Sequence, residues 1–255
     1  MTSALIGHTG FVGSNLTRQT QFDALFNSSN ITEMKGRSFD RIVCAGVRAV
    51  KWLANAEPEK DLAEIAALAH ILETVKAKTF TLISTVDVYP KPFDVDEDTV
   101  FARDAAEAYG RNRLFFEDTV RSLFERVQIV RLPGLFGTGL KKNVIYDMLN
   151  DNRVAYINPE SSFQWYDLAQ LSMDLAKVEE LDLPLVNFAV EPITTEEIRQ
   201  RFFPEMTIGE NAPPTVHYRM KTRFDKFFGG RDGFLATKEQ TMDRLADFIS
   251  ATGKS

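Results

Sequence analysis

The chain has 255 residues, 44% of them apolar, enough for one large α/β domain or a domain with a smaller lobe, and too apolar for disorder. A formal net charge of −6 argues against a general nucleic-acid binder, and the single cysteine, Cys44, excludes an intrachain disulfide. The opening MTSALIGHTG lacks the pattern of a secretory signal, no apolar run reaches the ~20 residues that span a bilayer, and His8, His70 and His217 are too scattered to hold a metal. A cytoplasmic protein without a membrane or nucleic-acid partner is expected.

In chain order, short β-branched runs alternate with helical spacing. TSALIG (2–7), RIVCAG (41–46), FTLIST (80–85) and VQIVRL (127–132) read as strands covered on both faces, with a weaker strand at 22–26. Helices are predicted from Pro58 to Lys76, on Leu62, Ile65, Ala69 and Leu72, and from Ala105 to Arg126, on Tyr109, Arg113, Phe116, Val120 and Leu123. This alternation predicts an α/β fold with a doubly wound parallel sheet, whose ligands sit beyond the carboxyl ends of the strands. Past residue 138 the pattern loosens into a loop at 151–159 and a strand at 185–190. Two helices follow, opened by the capping boxes Thr194 with Glu197 and Thr237 with Gln240; Ile193 and Ile198 staple the first. The expected division is a sheet domain over 1–138 and a smaller lobe over 139–255 that partly returns to the sheet.

The stretch ALIGHTGFVGSNL (4–16) lies between the first strand and a helix. Gly7 permits a sharp turn, Gly10 lets backbone approach an anion at the helix N-terminus, and Gly13 allows close packing of helix on strand. The spacing G-x-x-G-x-x-G is one residue longer in its first gap than the common dinucleotide fingerprint, so a purely structural turn stands beside the binding reading.

Two further motifs bear on that choice: ISTVDVY (83–89) at a strand end and YGRNR (109–113) opening a helix. Together with GHTGFVG, RLPGLFG (131–137) and FQWYDLAQL (163–171), they resemble the extended short-chain dehydrogenase/reductase superfamily, in its nucleotide-sugar epimerase/dehydratase branch. The likeness runs from residue 4 to about 175. It implies a Rossmann-like sheet with a C-terminal substrate lobe and an NAD(P)-dependent oxidoreductase or epimerase acting on a nucleotide-linked sugar. A homodimer is implied as well.

The resemblance assigns Gly7, Gly10, Phe11, Val12 and Gly13 to the cofactor pyrophosphate, and Ala45, Gly46 and Val47 to the cofactor wall. Pro133 and Leu135, with Gly134 between them, fall beside the nicotinamide. Thr85 and Tyr109 fall on the catalytic positions, and Arg113 stands where the family has lysine. Val86 replaces the first acid of a dehydratase pair, which disfavours dehydration and leaves Asp87 as a substrate contact, a minor acid/base or a turn cap. Where NAD-binding chains carry an acid, about 20 residues into the motif, this chain has Asn27 and Ser28; these tip the expectation toward NADP over NAD. One strand and helix of the usual first half are reduced to a few residues near Asn30–Lys35.

Tyr109 and Arg113 share one helix face. A cation there is expected to lower the phenol's pKa and to hold the nicotinamide ribose, with Thr85 binding the reacting oxygen. The plainer reading is a core tyrosine beside a solvated arginine. Arg219 and Arg223, near Phe227 and Phe228, are candidates for a substrate diphosphate or for a solvated face. The second functional reading is a dinucleotide-binding sensor with little catalysis, kept open by the lysine-to-arginine change.

Overall fold

A computed structural model describes residues 2–253. The chain forms two compact units. The first holds the chain up to Lys91, then Glu97–Leu132 and Leu171–Asn187; the second holds Pro92–Asp96, Pro133–Gln170 and the chain from Phe188.

The first unit is a six-stranded sheet, parallel at every pairing. Its strands are β1 (Ser3–Ile6), β2 (Ala24–Phe26), β3 (Ser38–Cys44), β4 (Lys76–Thr85), β5 (Val127–Leu132) and β6 (Leu185–Asn187), in the spatial order β6-β5-β4-β3-β1-β2. Helices α1 (Phe11–Gln19), α2 (Lys51–Ala56), α3 (Pro58–Leu72), α4 (Ala108–Leu123) and α5 (Leu171–Glu180) complete it. A continuous core runs through Ile6, Phe26, Ile42, Leu72, Phe80, Phe116 and Ile129. The β-branched runs sit in it because both sheet faces are covered.

Between β2 and β3 there is only a 3-10 turn, Ile31–Met34, where a full doubly wound half has a further strand. The strand order reverses between β1 and β3, which brings Gly7 and Ala45 side by side. β3 and β4 begin at Ser38 and Lys76, earlier than the apolar runs, because their first residues alternate polar and apolar and still extend the ladder, Phe39 opposite Ala77 and Arg41 opposite Thr79. The helices are shorter than their apolar stripes, α3 ending at Leu72 and α4 spanning 108–123. Helix α2, which the apolar pattern did not reveal, occupies KWLANA just ahead of Pro58.

The second unit contains three two-stranded ribbons. They pair Gly134–Phe136 with Trp165–Asp167, Ser162–Phe163 with Ile193–Thr194, and Phe93–Val95 with Arg219–Met220. Its helices Thr195–Phe202 and Lys238–Ala251 both open on the expected capping boxes, and Ile193 and Ile198 are fully buried in the unit's core with Phe136, Trp165 and Leu245.

Candidate active site

Two of the three loop glycines answer to packing alone. Gly7 has φ +87°, and a Cβ on it would lie 2.4 Å from the Ala45 carbonyl oxygen; on Gly13 it would lie 2.1 Å from the Gly7 oxygen. Both must be glycine for β1, β3 and α1 to close together. At Gly10 the nearest atom would be the Gly7 oxygen at 3.3 Å, and φ is an ordinary −75°. The fold therefore forbids a side chain at Gly7 and Gly13, and makes only a small demand at Gly10. That residue is the N-cap of α1, offers no side-chain cap, and is followed by no acid in the first turn. The first N–H groups of the helix thus keep their positive end for an anion, as a pyrophosphate requires.

Gly46 follows from packing as well, since a Cβ there would meet Ile6 at 2.7 Å. Asn27 closes on its own turn: its side-chain oxygen accepts from the Ser29 backbone N–H (2.9 Å) and hydroxyl (2.6 Å), and Asn30 caps its N–H at 2.8 Å. Ser28, next to it, is exposed.

Beyond the end of β4, Thr85 starts a 3-10 turn, Val86–Val88, and its hydroxyl accepts from the Asp87 N–H at 3.2 Å. Helix α4 crosses this turn at Gly110, where a Cβ would lie 2.1 Å from the Asp87 oxygen. The missing side chain lets Tyr109 reach the turn, and its hydroxyl pairs with the Thr85 side chain. Burial pushes the Tyr109 phenol above its ordinary pKa, and Asp87 and Asp61 push the same way; Arg113 and the Thr85 hydrogen bond pull it down without offsetting them. Arg113 thus acts on the phenol in the expected direction, and burial outweighs it.

Arg113 is neither solvated nor free. Its side chain is 5% exposed and its guanidinium carbon lies over the Tyr109 ring, 3.9 Å from the centroid. Its N–H groups donate to Asp61 on α3, to the Arg48 carbonyl and to the Tyr109 carbonyl. Asn112 adds a second donor to Asp61 at 2.8 Å.

Helix α2 supplies residues that the motifs did not name. Lys51 Nζ lies 2.9 Å from Asp87 Oδ1 and 3.2 Å from Glu107 Oε2. Asn55, four residues on, donates to Glu107 at 2.9 Å and accepts from the Tyr109 N–H at 2.9 Å. The spacing of Lys51 and Asn55, polar residues one helical turn apart in an otherwise apolar KWLAN, was the available signal.

The first unit therefore brings together Gly7, Gly10, Gly13, Ala45 and Gly46 at its switch point, and Thr85, Asp87, Tyr109 and Arg113 beyond β4 and on α4. Phe11 and Val12 open α1, and Val47 packs against the sheet core. Pro133, Leu135, Arg219 and Arg223 belong to the second unit. There Gly134 abuts the Trp165 ring, a Cβ falling 2.8 Å from it, and Arg219 lies over the Phe93 ring and 3.2 Å from Asp94.

No protein-family model matches this chain, and no curated protein matches it. Solved structures do. One is dTDP-4-dehydrorhamnose reductase from Bacillus anthracis in complex with NADP, 16% identical, with a TM-score of 0.75 over 98% of this chain and 99% of that one. A second is UDP-N-acetylglucosamine 4-epimerase from Methanobrevibacter ruminantium in complex with UDP-N-acetylmuramic acid, 17% identical, TM-score 0.74, 98% of each chain. A third is MoeE5 in complex with UDP-glucose and NAD, 14% identical, TM-score 0.72, 100% of each chain. At these identities the likeness is one of fold, and the chain has the Rossmann-like fold of these structures over nearly its whole length.

Proposed function

We propose that the chain is an NAD(P)-dependent oxidoreductase or epimerase acting on a nucleotide-linked sugar. The observation that carries this reading is Gly10: a glycine of which the fold itself asks far less than of Gly7 and Gly13, at a helix N-terminus with no side-chain cap at the point where strand order reverses. The proteins that share the fold support the substrate class, since they are named for dTDP- and UDP-linked sugars and two are complexes with NADP or NAD.

In this reading the backbone of residues 10–13 holds the pyrophosphate, and Ala45–Val47 line the dinucleotide. The bound nicotinamide supplies or accepts hydride. Tyr109 holds the proton that leaves or joins the reacting oxygen, and Thr85 fixes that oxygen beside it. With no carboxylate at Asn27 or Ser28, NADP is favoured over NAD.

Calorimetry with NADPH and NADH, followed by turnover on dTDP-4-dehydrorhamnose, UDP-glucose and UDP-N-acetylglucosamine, tests this. Tighter binding of NADPH is expected, abolished in a folded Gly10→Val variant. Cofactor binding unchanged by that substitution rejects the assignment. Binding without turnover on any of the three sugars supports instead a dinucleotide-binding regulator, the reading favoured by Arg113 being committed to Asp61.

A further inference from the structure

The position at which the resemblance calls for a lysine carries Arg113, and Arg113 is committed to Asp61, to two backbone carbonyls and to the Tyr109 ring. The surroundings of Tyr109 are otherwise rich in carboxylates. Asp61 comes from α3, Asp87 from the turn after β4, and Glu107 from the residue before α4. Arg113 answers Asp61. Asp87 and Glu107 are both answered by Lys51 of α2, at 2.9 Å and 3.2 Å. Lys51 and Asn55 lie one turn apart, so α2 meets this site through Asp87, Glu107 and the Tyr109 N–H together. The Lys51 side chain is 40% exposed and Asp87 only 19%, so the cation keeps its contact with water while its partner is shielded. On its far side, Asp87 Oδ2 accepts from the Thr85 hydroxyl at 3.4 Å, and Thr85 pairs with Tyr109.

We propose that Lys51 is a positioning residue that takes over the electrostatic part of the missing motif lysine: it neutralises Asp87, and Asp87 so held orients Thr85 against Tyr109. The inference rests on the reading of Tyr109 as the acid–base residue. An unanswered carboxylate beside a phenol disfavours the phenolate, so removing Lys51 makes Tyr109 hold its proton more tightly. An ordinary exposed ion pair would do neither, and its loss would change little.

The test uses the full chain, whichever of the three sugar nucleotides it turns over, and the variants Lys51→Met, Lys51→Arg, Asp87→Asn and the double Lys51→Met/Asp87→Asn. Lys51→Met is expected to lower kcat/KM about tenfold and to move to higher pH the limb of the pH–rate profile that Tyr109 sets, the falling limb where it donates its proton in reduction and the rising limb where it accepts one in oxidation. Its cofactor Kd stays within about twofold of the native value, and Lys51→Arg recovers most of the rate. In the Asp87→Asn background, the same Lys51→Met change alters kcat/KM by less than about twofold. Native-like kcat/KM and pH profile in Lys51→Met overturn the proposal alone. A loss of the same size with and without Asp87 also overturns it, because Lys51 then does not act through that carboxylate. A native chain inactive on all three sugars overturns the catalytic reading of Tyr109, and this proposal with it.

Discussion

Two buried tyrosines of the first unit, Tyr109 and Tyr89, each stand beside an arginine that is paired with a carboxylate, and they are wired in opposite ways. Arg131 donates to the Tyr89 hydroxyl at 2.9 Å and forks onto Glu117 at 3.0 and 2.7 Å. Ser84 donates to the same carboxylate at 2.6 Å, and Asn187 donates to the Tyr89 hydroxyl at 3.0 Å. Every partner in this network is buried, Glu117 completely. Arg113 also lies over its tyrosine's ring, but its N–H groups go to Asp61 and to backbone, leaving the Tyr109 hydroxyl to Thr85. The same three residue types therefore make a closed brace in one place and, in the other, a hydroxyl that no arginine holds and that pairs with Thr85. Both guanidinium groups lie over their tyrosine's ring, and what separates the two sites is that Arg131 also donates to the phenol oxygen.

The largest effect expected from that contrast is in the brace. Glu117→Ala leaves Arg131 buried without its partner and is expected to cost about 3–5 kcal/mol, read as a lowered urea midpoint. A change below about 1 kcal/mol would mean that water replaces the carboxylate and the brace is not closed.

Next comes the open tyrosine. Tyr109→Phe is expected to reduce turnover by about 10²–10⁴-fold while the unfolding free energy moves by less than about 1 kcal/mol. Equal losses of stability and activity would make Tyr109 a second brace.

Tyr89→Phe should do the reverse. It takes one hydrogen-bond partner from Arg131 and one from Asn187, at a cost of about 1–3 kcal/mol in stability, with cofactor affinity unchanged by calorimetry.

The smallest effect is one of pH. Burial raises the pKa of both phenols above the ordinary value near 10, so the folded chain holds protons that the unfolded chain releases. Stability contributed by these groups is complete below about pH 9 and falls as pH rises through 10 toward the folded values. Urea midpoints at pH 8, 9, 10 and 11 measure that slope, and Tyr89→Phe should make it shallower. An unchanged slope in Tyr89→Phe would place the alkaline loss elsewhere.

Much of this molecule was readable residue by residue. Apolar runs located β1, β4 and β5, and the pairs Thr194/Glu197 and Thr237/Gln240 marked two helix starts, because these signals act within a few residues of each other. The glycine spacing located the turn after β1, and the short stretch between β2 and β3 announced the reduced half of the sheet. Other features depend on partners far along the chain. Lys51 meets Asp87 thirty-six residues on, and Arg113 meets Asp61 across fifty-two, so no local spacing encodes either contact. Nor does sequence reveal that Gly13 is fixed by the Gly7 oxygen while Gly10 is only lightly constrained by it, since all three glycines look alike until β1, β3 and α1 are packed. Sequence determined which residues form strands, caps and turns, through short-range sterics and hydrogen bonding. Only the tertiary structure decided which buried charge answers which, because that depends on desolvation and distance between elements the chain brings together from afar.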